Sequence, residues 1–126
     1  MDLLVATRPG RGCIVVEVHG ELDMDTAPQL RDGLQRPIDA GAAQVVVDLA
    51  EVGFMDSSAL GTLVASFKAL RDRGGRLCLA GVQPPVRTVL SITSVDRVID
   101  IYDTVQAAED AMPPGGGVAK GAASVR

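Results

Sequence analysis

The sequence predicts an α/β fold, in which a mixed sheet of four to five strands has about four helices packed on it. Short aliphatic runs alternate along the chain with segments whose apolar residues recur every three or four positions. The composition is 47% hydrophobic but only 2% aromatic, so Val, Leu, Ile and Ala must fill the core. A length of 126 residues is enough for one domain with a core of this kind.

Five runs are predicted to be strands: residues 3–7, Cys13–His19, 44–49, Arg76–Ala80 and 98–102. In the second run apolar residues alternate with a partly polar set, which is typical of a strand with one buried face. The third run is rich in Val without alternation, so we expect it to be covered on both faces. Pro9-Gly10-Arg11-Gly12 predicts a turn between the first two strands.

The first helix is predicted to begin after Asp25 or Thr26, either of which can cap it, with Pro28 tolerated in its first turn. Pro37 is expected to end or distort the last turn. The apolar positions that define this helix recur every four residues: Leu30, Leu34 and Ile38.

Three more helices are predicted along the rest of the chain. The longest carries a stripe of apolar residues and is stopped by Gly74-Gly75. A short helix follows Pro84-Pro85, and a last one is capped by Asp103 or Thr104. Residues 113–126 are rich in Gly, Ala, Pro and Ser without periodicity. We therefore expect one domain over residues 1–112 and a disordered tail over 113–126.

Charge and composition argue against several classes of function. The formal net charge is −4 and Lys and Arg do not cluster, so direct binding of nucleic acid is not expected. No apolar run approaches ~18 residues, so no membrane span is predicted. Cys13 and Cys78 lie in apolar runs, which indicates buried thiols in a reducing cytoplasm and no metal site. No Gly-x-x-x-x-Gly-Lys loop is present, and no cofactor is expected.

Asp56-Ser57-Ser58 stands between a predicted buried strand and the longest helix. Asp and Ser are preferred at helix starts because their side-chain oxygens accept the free N–H groups of the first turn. A helix N-terminus also tolerates an added phosphate, because its N–H groups and partial positive charge favour an anion. The stretch is therefore interpreted either as a helix cap or as a phosphorylation site.

Two motifs decide which family the sequence resembles. The chain carries Gly20-Glu21-Leu22-Asp23 after its second strand and Asp56-Ser57-Ser58-Ala59-Leu60-Gly61 after its Val-rich strand. Both resemble motifs of the STAS domains that act as bacterial anti-sigma factor antagonists, whose phosphorylation motif reads Asp-Ser-Ser/Thr-Gly-Leu-Gly. The resemblance continues through residues 76–81 and 101–104 and covers about residues 1–112.

The resemblance implies a phospho-switchable binding protein and not an enzyme. Ser57 would be the phosphoacceptor, and the partner would be an anti-sigma factor that is a serine kinase with an ATPase-like fold. The unphosphorylated form would bind this kinase and free a sigma factor, and a metal-dependent serine phosphatase would reverse the modification. The resemblance implies a partner-binding set: Asp23, Met24, Thr26, Asp56, Ser57, Ser58 and Ala59.

Ala59 departs from the family pattern, which usually has Gly at this position. Alanine is favoured over glycine in a helix by roughly 1 kcal/mol, so the fold should not suffer. The extra methyl is expected to hinder a close-approaching kinase.

Alternative interpretations remain for Asp23 and for the function of the whole protein. Asp23 is interpreted either as orienting the serine hydroxyl or repelling an incoming phosphate, or as a turn carboxylate that caps the next helix. A second hypothesis for the protein is an unphosphorylated STAS adaptor or ligand-binding module of another regulatory or transport system. A third is a serine hydrolase with His19 as its base, although the chain has no Gly-x-Ser-x-Gly elbow.

Overall fold

A computed structural model describes residues 3–112, which form one mixed sheet with helices on both faces. The strands are Leu4–Gly10 (β1), Cys13–His19 (β2), Gln44–Glu51 (β3), Arg76–Ala80 (β4) and Ile101–Tyr102 (β5). The helices are Ala27–Asp39 (α1), Ser57–Asp72 (α2), Pro84–Ile92 (α3) and Val105–Asp110 (α4), with a 3₁₀ turn at Val95–Arg97. The predicted fold class is confirmed, whereas the predicted tail, 113–126, lies outside the described residues.

The five strands lie in the sheet in the order in which they occur in the chain. β1 is antiparallel to β2, and β2, β3, β4 and β5 are parallel to one another. The central β3 has Val45, Val46 and Val47 fully buried. The prediction that this strand is covered on both faces is therefore confirmed.

Helices cover the two faces of the sheet unequally. α1, α2 and α3 contribute to the larger core on one face, where Leu34, Leu63 and Leu90 pack with the valines and leucines of the strands. α4 covers part of the other face through Ala108 in a smaller core that contains both cysteines. Both thiols are buried and free, as the sequence predicted.

The first strand is longer than the sequence predicted. β1 continues through Pro9 to Gly10, and the turn consists only of Arg11 and Gly12. Proline fits here because β1 is an edge strand, where a residue without an N–H costs no ladder hydrogen bond on the open side. Gly12 has φ of +75°, the left-handed conformation that the tight turn requires.

Of the two outcomes predicted for Pro37, it does not end α1 but lies inside the last turn. The helix continues to Asp39 and stops at Gly41, whose φ is +97°. The N–H groups of Gly41 and Ala42 donate to the carbonyls of Ile38 and Pro37, which closes the helix end. A proline this close to the C-terminus removes one hydrogen bond, and burial of the helix face outweighs that loss.

The last strand is shorter than predicted and contains only Ile101 and Tyr102. Before it, Ser94 takes a left-handed conformation with φ of +62° and the 3₁₀ turn follows. Ile99 is buried without pairing in the sheet. The apolar residues that suggested a longer strand therefore serve partly as a core anchor.

Candidate functional site

The two motif segments meet at one edge of the sheet. The first follows β2 and the second follows β3, and the carboxyl ends of neighbouring parallel strands lie at the same edge. Leu22 and Met55 form an additional parallel bridge beyond the strands. The Leu22 N–H donates to the Phe54 carbonyl (3.0 Å) and the Asp56 N–H donates to the Leu22 carbonyl (2.9 Å). Backbone hydrogen bonds thus fix the two loops to each other.

Asp56 connects the loops and begins α2. One carboxylate oxygen accepts the N–H groups of Ser58 (2.9 Å) and Ala59 (3.1 Å), as an N-cap residue does. The other oxygen accepts the N–H of Met24 (3.0 Å) in the loop after β2. Asp56 is therefore the cap of α2 and also holds the neighbouring loop in place.

Ser57 is the first residue of α2 and is exposed, as is Ser58. None of the described residues makes a hydrogen bond with the Ser57 hydroxyl, because Asp56 already supplies the cap. Of the three residues in this stretch, Asp56 therefore caps the helix and Ser57 does not. Its side chain is a free hydroxyl at the positive end of a 16-residue helix.

Asp23 and Thr26 organise the loop that leads into α1. One oxygen of Asp23 accepts the N–H groups of Asp25 (2.9 Å) and Thr26 (3.0 Å). The Thr26 hydroxyl donates to the Glu21 carbonyl (2.7 Å) and accepts the Asp23 N–H (3.0 Å). Of the two interpretations of Asp23, the observed contacts are those of a turn carboxylate.

α1 begins at Ala27, directly after Thr26, as the sequence predicted, but its cap differs from the prediction. Thr26 stands at the N-cap position, but its side chain accepts no N–H of the helix. The Thr26 hydroxyl is already engaged within the loop, and Asp25 precedes the N-cap position. Neither of these two predicted residues therefore caps α1 through its side chain.

The predicted partner-binding residues differ widely in exposure. Met24 is 71% exposed, Ser57 and Ser58 are exposed, and Asp23 and Asp56 are half-buried. Thr26 and Ala59 are fully buried, so they support the surface from below instead of forming it. Because the Ala59 methyl lies in the core, it is not presented to a kinase, and the expected hindrance has no structural basis.

Phe54 and Gly61 are exposed residues within four positions of Ser57 that the predicted partner-binding set leaves out. Phe54 is 48% exposed while its neighbour Met55 is 3% exposed, an alternation typical of extended backbone. Gly61 lies one turn into α2, and a Cβ added there would meet nothing within 4 Å. The fold therefore does not require glycine at this exposed position.

Among residues 3–112, no group of three or more His, Cys, Asp or Glu side chains is placed to hold a metal ion. His19 lies at the end of β2 and lines a depression with Glu17 and Asp48. Within the described part of the chain it makes no hydrogen bond with Ser57, so no Ser-His pair is formed. In that same part, every helix is too short or too polar to cross a membrane.

Comparison with known proteins identifies the family. The sequence profile of the STAS domain matches residues 5–108. The chain belongs to the STAS domain family. This STAS domain is 31% identical over 104 residues to the anti-sigma F factor antagonist of Paenibacillus polymyxa, covering 82% of this chain and 89% of that one. It is 33% identical over 101 residues to the anti-sigma-B factor antagonist of Bacillus subtilis, covering 80% and 92%.

Solved structures resemble this STAS domain along most of its length. An anti-sigma factor antagonist from Mycobacterium paratuberculosis has a TM-score of 0.82 and 27% identity, with 88% of this chain and 94% of that chain covered. The anti-sigma factor antagonist SpoIIAA in its unphosphorylated form has a TM-score of 0.72 and 26% identity, with 85% and 94% covered.

Proposed function

We propose that this STAS domain is an anti-sigma factor antagonist whose binding is switched off by phosphorylation of Ser57. The observation that carries the proposal is the free, exposed Ser57 hydroxyl at the start of α2, next to a capping Asp56. It stands in a motif that resembles the family's phosphorylation motif, in a domain whose relatives are named anti-sigma factor antagonists.

The geometry favours a modification that leaves the fold intact. A phosphate adds about −1.5 to −2 charges, and a helix N-terminus stabilises such charge. Because Asp56 already supplies the cap, the Ser57 side chain is not needed to begin α2. The effect of a phosphate on Ser57 would therefore be on a partner and not on folding.

The surroundings of Ser57 suit a switchable interface. Met24 and Phe54 expose apolar surface on the same edge, and aromatic and Met side chains are enriched at the centres of interfaces. A phosphate beside them, next to the carboxylate of Asp56, would bring a strongly hydrated charge into a surface that must be desolvated on binding. Phosphorylation should thus weaken the complex.

The proposed partners follow from this mechanism. The unphosphorylated domain would bind an anti-sigma factor that is also a serine kinase, and a sigma factor would be released. A metal-dependent serine phosphatase would return Ser57 to its hydroxyl form. Such an exchange uses ATP and sigma factors, so we place it in the cytoplasm.

The test uses the serine-kinase anti-sigma factors of the same bacterium, purified one by one. The full chain is incubated with each kinase, ATP and Mg²⁺, and the phosphate is located by mass spectrometry. We expect one kinase to phosphorylate Ser57. Ser57→Ala should bind this kinase with unchanged affinity but accept no phosphate, and Ser57→Asp should fold and bind more weakly.

Ser58→Ala is the matched control, since Ser58 is an exposed neighbour in the same turn. This variant should still be phosphorylated, at a rate within a few-fold of the unaltered protein. Phosphate found on Ser58 alone would overturn the residue assignment. Equal affinity of the kinase for phosphorylated and unphosphorylated protein would rule out the switch and favour a constitutive adaptor.

A further inference from the structure

A groove of about 490 Å³ lies between β1 and the C-terminal half of α1. Its floor and walls are mainly apolar and include Val5, Ile14 and Pro37. Its polar side chains are Thr7 and Arg36. Small-molecule sites in proteins have volumes of about 300–1,000 Å³ and this kind of lining, apolar with a few polar groups.

The groove is open because the residues that directly follow α1 are small. At Gly33 the helix packs so closely on β1 that an added Cβ would collide with Val5. At the end of the helix, by contrast, a Cβ added to Gly41 would meet nothing within 4 Å. Ala40 and Ala42, which also line the groove, are too short to fill this space.

The electrostatics of the groove favour an anion. Arg36 is the one ionised side chain among its lining residues. The two carboxylates of α1, Asp32 and Asp39, contact Arg31 (3.9 Å) and Gln35 (2.7 Å). The carbonyl groups at the end of α1 would oppose an anion, but those of Arg36, Pro37 and Ile38 accept N–H groups from residues 40–42. An exposed guanidinium thus stands beside an apolar cleft with a hydroxyl, that of Thr7, in the same lining.

We propose that this groove binds a small amphiphilic carboxylate, such as a medium-chain fatty acid. The alkyl chain lies against Val5, Ile14 and Pro37, and the carboxylate pairs with the Arg36 guanidinium. Arg36 is chosen for this role because a guanidinium binds a carboxylate through two parallel hydrogen bonds.

The groove is separate from the Ser57 surface. It lies at the C-terminal end of α1, while Thr26 and the site loops lie at the N-terminal end, and a 13-residue helix is about 20 Å long. The proposal therefore does not depend on the proposed function, and each can fail without the other.

The test is a titration of the full ¹⁵N-labelled chain with sodium decanoate below its micellar concentration. We expect saturable amide shifts confined to the groove residues. Arg36→Ala should weaken the affinity by roughly two- to fivefold, because an ion pair with an exposed guanidinium contributes at most about 1 kcal/mol. Arg36→Lys should retain part of the affinity, and Thr7→Phe should abolish saturable binding by filling the cleft from an exposed strand position.

Controls separate this site from general apolar binding. Arg31→Ala removes an exposed arginine of the same helix that does not line the groove, and it should leave the affinity unchanged. Ser57→Asp should also bind decanoate as the unaltered protein does. Decanol, with the same chain and no charge, should bind roughly two- to fivefold more weakly.

Several results would overturn the proposal. One is the absence of saturable shifts, and another is equal affinity of decanol and decanoate. Shifts spread over the exposed apolar residues Met24, Phe54 and Ile92 would show non-specific association. A concentration-dependent dimer, detected by sedimentation without ligand and shifting the same groove amides, would show that a second copy covers this face.

Discussion

Asp56 and Ser57 are neighbours, yet the structure predicts very different costs for their replacement by alanine. Asp56→Ala removes the cap of α2, worth about 0.5–2 kcal/mol, and a charged hydrogen bond to the Met24 N–H, worth about 1 kcal/mol at a half-exposed site. The expected loss is about 1.5–3 kcal/mol. Ser57→Ala removes an exposed hydroxyl without a partner among the described residues and should stay within about 0.5 kcal/mol.

The measurement is the free energy of unfolding from urea titrations followed by far-UV circular dichroism. Asp56→Asn should lie between the two, because the amide keeps one acceptor oxygen but loses the charge and the second acceptor. Thr104→Ala is a matched control for capping elsewhere. The Thr104 hydroxyl accepts the Ala107 N–H at the start of α4, and its loss should cost about 1 kcal/mol.

Two outcomes would refute this reasoning. A loss at Ser57→Ala equal to that at Asp56→Ala would mean that the serine hydroxyl supports the helix start, which the hydrogen bonds exclude. A loss below about 0.5 kcal/mol at Asp56→Ala would mean that its three accepted bonds contribute nothing to stability. Either result would remove the distinction between Asp56, which stabilises the helix start, and Ser57, whose hydroxyl is free to accept a phosphate.

Three further predictions concern residues away from this pair. Gly61→Ala should raise the free energy of unfolding by about 0.5–1 kcal/mol, measured by urea titration, but weaken kinase binding, measured in a binding assay. Gly75→Ala should instead lower the free energy of unfolding in the same titration, because its Cβ would lie 2.5 Å from a carbonyl oxygen. Burial raises the pKa of Cys78 to about 12, so the native protein should resist a thiol reagent at pH 8. The folded state holds that proton more tightly than the unfolded state, so stability should fall as pH rises from about 9 toward 12, with a smaller fall in Cys78→Ala. Ending the chain after Met112 should leave the thermal midpoint within a few degrees, and a drop of many degrees would show that the tail packs.

Local signals explain why much of the fold could be predicted. The bounds of β2 and β4 agree with the predicted runs, because an aliphatic run bounded by Gly is a property of a few consecutive residues. The cap at Asp56 is equally local, since a carboxylate reaches N–H groups only two and three residues ahead. The motif at residues 56–61 was visible for the same reason.

Non-local packing explains the errors. Pro9 reads as a turn signal, but its position in an edge strand makes it acceptable in β1. Val98 and Ile99 read as part of a strand, but only Ile101 and Tyr102 lie beside β4. Neither outcome follows from neighbours in sequence, because each depends on which strand lies alongside.

The sequence by itself was enough to predict the α/β class, most helices and strands, and the segment that resembles a phosphorylation site, because side-chain periodicity and capping act over a few residues. Only the tertiary structure decided which motif residues form a surface. It joined Met24 to Asp56 across 32 residues through parallel β2 and β3, and it buried Thr26 and Ala59 while leaving Ser57 exposed. It also opened the groove between β1 and α1. Burial and adjacency depend on how whole helices and strands pack, and local periodicity does not specify that packing.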